Sequence, residues 1–347
     1  MHTNNNGPQS PAIEGAKNLR VKLGPPQVRR CDDLPQGHVI LNGQSQNYNN
    51  KKFKKPEASK VINHRLEQKG VLHIATYNVR SLLGEDRLVE LEEELKQVKW
   101  SIVGLAETRR HGECITNLVS GNVLYTIGQD NKSQAGVGFL VHKDIAKNVM
   151  EFKGASERTA MLIVKLNSKY SVKIIQVYAP TSAYSDEVVE GMYEEINELM
   201  DQVTTQYTIV MGDFNAKIGM RKQGENSIMG PYGIGERNER GDRLVEFATS
   251  RKLYIGNSKY MKRDNRKWTW KSPNGSVKNE IDFIMTNKEN TIEDVTVVSR
   301  VNTGSDHRLV RAKFNFRTRI ERAKLVKTQI SKISIIRCLM LIKTGSN

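Results

Sequence analysis

The sequence has little of what would fix a class at once. It holds three cysteines in 347 residues, Cys31, Cys114 and Cys338, an odd and widely spaced set. Such a count excludes a disulfide framework and points to a reducing compartment. The opening residues, Met1 to Gly7, lack the apolar run of a secretory signal. The longest apolar stretch, 333–342, is broken by Arg337 and is too short to span a bilayer. No internal repeat is found. These absences predict a soluble, intracellular protein with no membrane partner. Acidic residues are also in deficit, 38 against 54 Lys and Arg, for a formal charge of +16.

The 37% of hydrophobic residues can bury a large core. One domain of about 200–250 residues with tails fits the length. Residues 1–70 hold 12 basic and 5 acidic residues, and 311–347 hold 10 and 1, which leaves 71–310 with 32 of each. The excess therefore lies in the arms. Basic arms suit a polyanion such as nucleic acid, or serve only to solubilise.

Residues 1–67 are rich in Asn, Gln, Gly, Pro and Lys with no lasting apolar period, and are expected to form a disordered basic arm. The cluster Lys51-Lys-Phe-Lys-Lys55 is compatible with nuclear import, and a nuclear location is expected from it; a plain basic stretch accounts for it as well. From 71 onward, apolar strands alternate with amphipathic helices. Strands are predicted at 71–79, 101–107, 123–127, 137–141, 161–166, 172–178, 207–211, 253–257, 267–271, 280–285, 295–299 and 309–316. Helices are predicted over 86–98, after a Ser185 cap, and over 243–251. So many strands between so few helices favour a mixed-sheet α/β sandwich over a strict βαβ repeat. The domain is placed at 71–316, with 317–347 as a basic tail.

The ends of these strands carry one consistent kind of residue. They are Asn78, Glu107, Tyr178 before Ala179-Pro180, Asp213 and Asn215 in Gly212-Asp-Phe-Asn215, Asp282 inside an apolar run, and Ser305-Asp-His307. Each alone has a plain structural explanation, such as a turn or a solvated end. Asp282 is the hardest to explain that way, because a carboxylate among Ile281, Phe283 and Ile284 is costly unless it is paired, and a histidine would suit it. Ligand sites in α/β folds gather at strand ends, and six such motifs in succession point there. Glu107, Asp306 and the Asn78 and Asn215 amides are hard oxygen donors suited to Mg²⁺ or Mn²⁺. With a carboxylate for a water and a histidine near a phosphate, they form equipment for phosphodiester hydrolysis.

In this order the motifs resemble the endonuclease/exonuclease/phosphatase superfamily over about 71–316. Asn238-Glu-Arg-Gly241, Leu244-Val-Glu-Phe-Ala248, Leu253-Tyr-Ile-Gly-Asn257 and Trp268-Thr-Trp270 are similar to the apurinic-type endonuclease domain of RTE/BovB non-LTR retrotransposons, including the craniofacial development protein 2-like group. The resemblance implies a four-layer α/β sandwich, two mixed β-sheets face to face with helices outside. It also implies that Glu107, Asn78 and Asp306 hold the metal. By the same resemblance Asp213 handles the attacking water, Asn215 and Tyr178 hold the phosphate, and His307, steadied by Asp282, stabilises phosphoryl charge. Thr269 matches a DNA-contacting position.

Two departures stand out. Arg80 replaces an acid found in repair-type relatives, which argues against a second metal and against repair. Thr181 stands where many relatives have Asn. The Asn274-Gly275 pair predicts a hairpin between Lys271 and Lys278, with Arg266 and Lys267 nearby as phosphate contacts. The chain is thus expected to be a monomeric, Mg²⁺-dependent endonuclease that nicks DNA, without a small-molecule cofactor. The alternatives are a non-catalytic DNA- or chromatin-binding protein, or a hydrolase of RNA or small phosphoesters.

Overall fold

The computed structural model describes residues 70–316. The predicted N-terminal arm, the Lys51–Lys55 cluster and the basic C-terminal tail lie outside the described residues.

Fifteen strands and four helices follow in order among these residues. They are β1 (Val71–Asn78), α1 (Glu85–Leu95), β2 (Ile102–Ala106), β3 (Glu113–Asn117), β4 (Val123–Ile127), β5 (Val137–Val141) and α2 (Lys143–Ala146). Next come β6 (Val149–Gly154), β7 (Thr159–Lys165), β8 (Ser171–Tyr178), α3 (Asp186–Gln202), β9 (Tyr207–Asp213), α4 (Glu239–Ser250) and β10 (Tyr254–Ile255). The chain ends in β11 (Trp270–Lys271), β12 (Lys278–Asn279), β13 (Asp282–Thr286), β14 (Ile292–Val298) and β15 (Leu309–Asn315). Seven strands form one mixed sheet, β14-β15-β1-β2-β5-β4-β3; six form another, β10-β13-β9-β8-β7-β6; β11 and β12 pair apart as a hairpin.

Three apolar clusters explain the layers. Ile74, Phe139, Leu162, Ile174, Met211 and Phe314 fill the space between the sheets. Val189, Met192, Ile196 and Leu199 of α3 and Leu244, Phe247 and Ala248 of α4 bury against the outer face of the six-stranded sheet. Leu88, Leu91 and Leu95, at helical spacing on α1, cover the seven-stranded sheet. The result is a four-layer sandwich.

Some local expectations are corrected. β3 and β6 lie at sheet edges with largely exposed residues, so they carry no apolar signal. The helix expected from 243 starts at Glu239, because the Asn238 side chain caps it from the Gly241 N–H. Ser185 stands at the N-cap of α3 without capping it through its side chain. The strand expected over 253–257 shortens to two residues before a 3₁₀ turn.

Two parallel pairs place the site. β1 runs parallel to β2, and β8 parallel to β9, so their carboxyl ends lie side by side. β13 pairs antiparallel with β9, setting Asp282 opposite Asp213, and β15 pairs antiparallel with β1, bringing its start to the same end. Between β8 and β9 the approach is close at Gly212. Its φ of 149° strains any L side chain, and an added Cβ would collide with the Val177 carbonyl. Gly212→Ala is expected to destabilise the fold by roughly 3 kcal/mol, read as a lower urea midpoint at unchanged m-value.

Candidate active site

The strand ends bring seven of the predicted residues into one connected group. The Asn78 amide N–H₂ donates to Glu107 Oε1 at 2.9 Å and to Asp213 Oδ2 at 3.0 Å. Its Oδ1 accepts the Arg80 N–H at 3.0 Å. This orientation is dictated by chemistry, since a backbone N–H requires an oxygen and two carboxylates require donors. Asn78 therefore bridges two carboxylates through its N–H₂, while its Oδ1, the atom expected to face a metal, accepts one backbone N–H. Asn215 donates its N–H to Asp213 Oδ1 at 3.0 Å and its amide to the Ala179 carbonyl at 2.8 Å. Ser305 Oγ donates to the Asn78 carbonyl at 2.7 Å, tying the Ser305-Asp-His307 turn to the end of β1.

His307 lies between two carboxylates. Its Nδ1 is 2.9 Å from Asp282 Oδ2 and its Nε2 is 3.7 Å from Asp213 Oδ2. All three side chains are buried. Burial pushes Asp213 up to about 7, with Asp282 repulsion adding to it and His307 and Asn78 opposing. Burial lowers His307, but the Asp282 and Asp213 charges and the Asp282 hydrogen bond outweigh it and raise the ring to about 10. At neutral pH the site thus pairs a poised carboxylate with an imidazolium. Tyr178 is held protonated, by burial first and then by the Glu107 and Asp213 charges, with a hydrogen bond to Glu107.

Glu107 and Asp306 are the more open carboxylates, with side chains 18% and 23% exposed. Glu107 Oε2 lies 3.3 Å from Arg109 Nη2; Asp306 lies 3.7 Å from Arg80 Nε and accepts the Trp270 Nε1–H at 3.1 Å. Arg80, Glu107, Arg109 and Asn215 are non-glycine residues in the left-handed region, at φ 63°, 54°, 56° and 48°. Four such residues around one site mark a backbone held by its surroundings, at about 1–3 kcal/mol each. The donor chemistry fits a divalent cation: Glu107 and Asp306 offer hard oxygens at a solvent-facing edge. Asp213, Asp282 and His307 also have ligand atoms within 4.8 Å of one another and could hold an ion. That group includes a histidine nitrogen, so the carboxylate oxygens of Glu107 and Asp306 suit a hard cation better.

Comparison with known proteins agrees with this geometry. Residues 172–311 match the family described as Endonuclease-reverse transcriptase. Craniofacial development protein 2 of Bos taurus is 30% identical over 252 residues, covering 71% of this chain and 41% of that protein. The chain thus spans about two fifths of the length of the curated relatives it matches. The AP endonuclease LMAP from Leishmania major superposes with a TM-score of 0.53 at 12% identity, over 72% of this chain and 89% of that one. The catalytic domain of Xenopus laevis APE2 gives 0.50 at 15% identity, over 70% and 92%.

The fold is the α/β sandwich of the endonuclease/exonuclease/phosphatase structures, and residues 172–311 carry the family match. Among the described residues no helix is long and apolar enough to cross a membrane.

The residues expected at DNA divide into two sets. Lys271 and Lys278 pair across the hairpin, exposed, and Asn274 organises its tip by accepting from Ser272 Oγ, Ser276 N and Ser276 Oγ. The turn is a Ser272–Gly275 turn closed by the Gly275 N–H, not a two-residue Asn-Gly loop, because Pro273 starts it. Arg266 is exposed near by. Thr269 and Lys267, in contrast, face inward. The Thr269 hydroxyl accepts the Ile281 and Asp282 N–H groups at 3.0 and 3.1 Å, which fixes the start of β13. Lys267 is 3% exposed, donates to the Tyr232 carbonyl and lies 3.8 Å from Glu280, so neither side chain reaches a nucleic acid.

Three contributors carry no sequence signal. Arg158 stacks over the Tyr178 and Tyr184 rings at 5.5 and 4.8 Å. Arg109 pairs with Glu107 across a left-handed turn. Asn257 donates to the Asp282 carbonyl at 3.0 Å and accepts the Ile284 N–H at 3.1 Å, steadying the strand that carries Asp282. Only the last lay in a motif noticed for resemblance, with no role attached.

Proposed function

We propose that this protein is a divalent-metal-dependent endonuclease that nicks DNA. The observation that carries the reading is the buried line of Asp282, His307 and Asp213 ending beside Glu107 at the converging strand ends. Glu107 and Asp306 would hold Mg²⁺ or Mn²⁺, which when bound supplies positive charge against the phosphate oxygens.

The chain's own residues then divide the work. Asp213, with its pKa near 7, takes a proton from the water that attacks phosphorus as the bond to the leaving sugar oxygen breaks, and that oxyanion takes a proton from solvent. His307, cationic and held by Asp282, faces the developing charge on the phosphoryl oxygens. Tyr178 stays protonated and donates to the phosphate, and Asn215 positions it beside Asp213. The exposed Lys271, Lys278 and Arg266 give a nucleic acid its local contacts, and a nuclear location accompanies the reading.

A second reading is DNA binding without turnover. It draws on Arg80 and Arg109, which lie on Asp306 and Glu107 and compete with a cation for them. The readings separate on a substrate panel of supercoiled DNA, single-stranded RNA and inositol phosphate, each with Mg²⁺ and with EDTA. EDTA-sensitive conversion of the DNA alone supports the first. Binding of DNA without conversion of any substrate supports the second, and turnover of inositol phosphate alone refutes both.

A further inference from the structure

Strand β15 alternates Val310, Ala312 and Phe314 on its buried face with Arg311 and Lys313 on the other. Helix α1 covers the outer face of this sheet over its central strands. Over β14 and β15 that face instead opens into a groove of about 620 Å³.

Five cations line it: Lys99, Arg266, Arg300, Arg308 and Arg311. They come from four separate stretches of chain, and no carboxylate lines the groove with them. None of the five makes an ion pair among the described residues. Their guanidinium contacts are backbone carbonyls: Arg300 to Gln97 at 3.5 Å, Arg308 to Asn265 at 3.3 Å, and Arg311 to Lys99 at 3.2 Å. The acid that acts on Arg311 from a distance, Asp294, is already paired with Lys262 at 2.7 Å. His73, on neighbouring β1, is held below its ordinary value by burial and then by Arg311, Lys313 and Lys99, of which Lys313 is paired with Glu293.

The groove borders the candidate active site through Arg308. Arg308 follows His307 directly, and its guanidinium lies 3.1 Å from the centre of the Trp268 ring, which Lys278 of the hairpin also approaches, at 5.3 Å. The Arg308 N–H donates to the Thr269 carbonyl and the Lys271 N–H to the Asp306 carbonyl, locking groove, hairpin and site into one framework.

We propose that this groove carries the phosphate backbone of the substrate nucleic acid beyond the segment in the catalytic cleft. A track of cations from four stretches, open along a sheet face, matches an extended polyanion better than one phosphate group. Both ends of the sequence are themselves net basic, so charge favours an external polyanion over either of them. The inference rests on the nucleic-acid reading of the site above.

The test uses the full chain and the combined variant Lys99→Gln, Arg300→Gln and Arg311→Gln, all outside the catalytic set. Binding of duplexes of about one and about three helical turns is measured by anisotropy across a salt series. Wild type should gain affinity with length. The variant should lose that gain, and its salt slope on the long duplex should fall by about two to three, at roughly 0.9 per phosphate contact. Nicking of the short duplex should not change. A charge-retaining variant, Lys99→Arg with Arg300→Lys and Arg311→Lys, should keep the wild-type slope.

Equal slopes and equal length dependence in wild type and the Gln variant overturn the proposal. So does displacement of the long duplex by polyglutamate as readily as by unlabelled duplex, since the groove would then read any acidic polymer. A wild type with the groove-dependent slope but no cleavage supports the groove and removes the endonuclease reading. Cleavage without that slope does the reverse.

Discussion

Asp213→Asn is expected to lower the single-turnover rate of DNA nicking by about a thousandfold, within the range of roughly 10²–10⁴ for a lost general base. The substitution keeps the shape of the side chain and an oxygen for the Asn215 N–H. It removes the capacity to accept a proton. An ordinary aspartate is too weak a base to be useful near neutral pH. Here burial and the repulsion of Asp282 lift the group to about 7, where it is ionised in useful amount and still accepts a proton readily. A loss of less than about tenfold would assign the water to another group.

Asp282→Asn should cost about a hundredfold to a thousandfold, on the scale of a removed transition-state donor, and should reshape the pH profile. In the native protein activity requires Asp213 ionised and His307 protonated. The rate therefore rises with pH through about 7 and falls as pH passes about 10. Asp282 is the largest influence raising His307, and removing its charge lets burial pull the ring back down. The falling limb should move toward neutral pH in the variant. Losing one buried repulsion also lowers Asp213, so the rising limb should move down with it. An unchanged falling limb would show that His307 does not carry the alkaline transition.

The sequence is most legible where one residue's environment is set by its own strand. Asn78, Glu107, Tyr178 and Asp213 each follow an apolar run, so their place at strand ends is visible in one dimension. Their convergence follows from the parallel pairing of β1 with β2 and of β8 with β9. Edge strands β3 and β6 are invisible for the opposite reason: they bury little, so no pattern marks them.

The failures at the site are failures of direction and partnership. Thr269 is expected at DNA through the family resemblance, and Lys267 through its charge. Thr269 fixes the start of β13, while Lys267 turns inward to Glu280, whose carboxyl burial raises to about 7. Arg158, in the bend between β6 and β7, reaches Tyr178 at the end of β8 through a stacking contact, a relation no spacing along the chain encodes. The orientation of Asn78 was likewise hidden, because it depends on two carboxylates and one N–H from three places in the chain.

The account turns on one claim, that Asp213 at these strand ends drives metal-dependent strand cleavage. Supercoiled plasmid incubated with Mg²⁺ measures it most directly. Wild type should convert the plasmid to open circles, EDTA should stop the conversion, and Asp213→Ala protein purified in parallel should leave the plasmid supercoiled. Equal conversion by wild type and Asp213→Ala, or none by folded wild type, would contradict it.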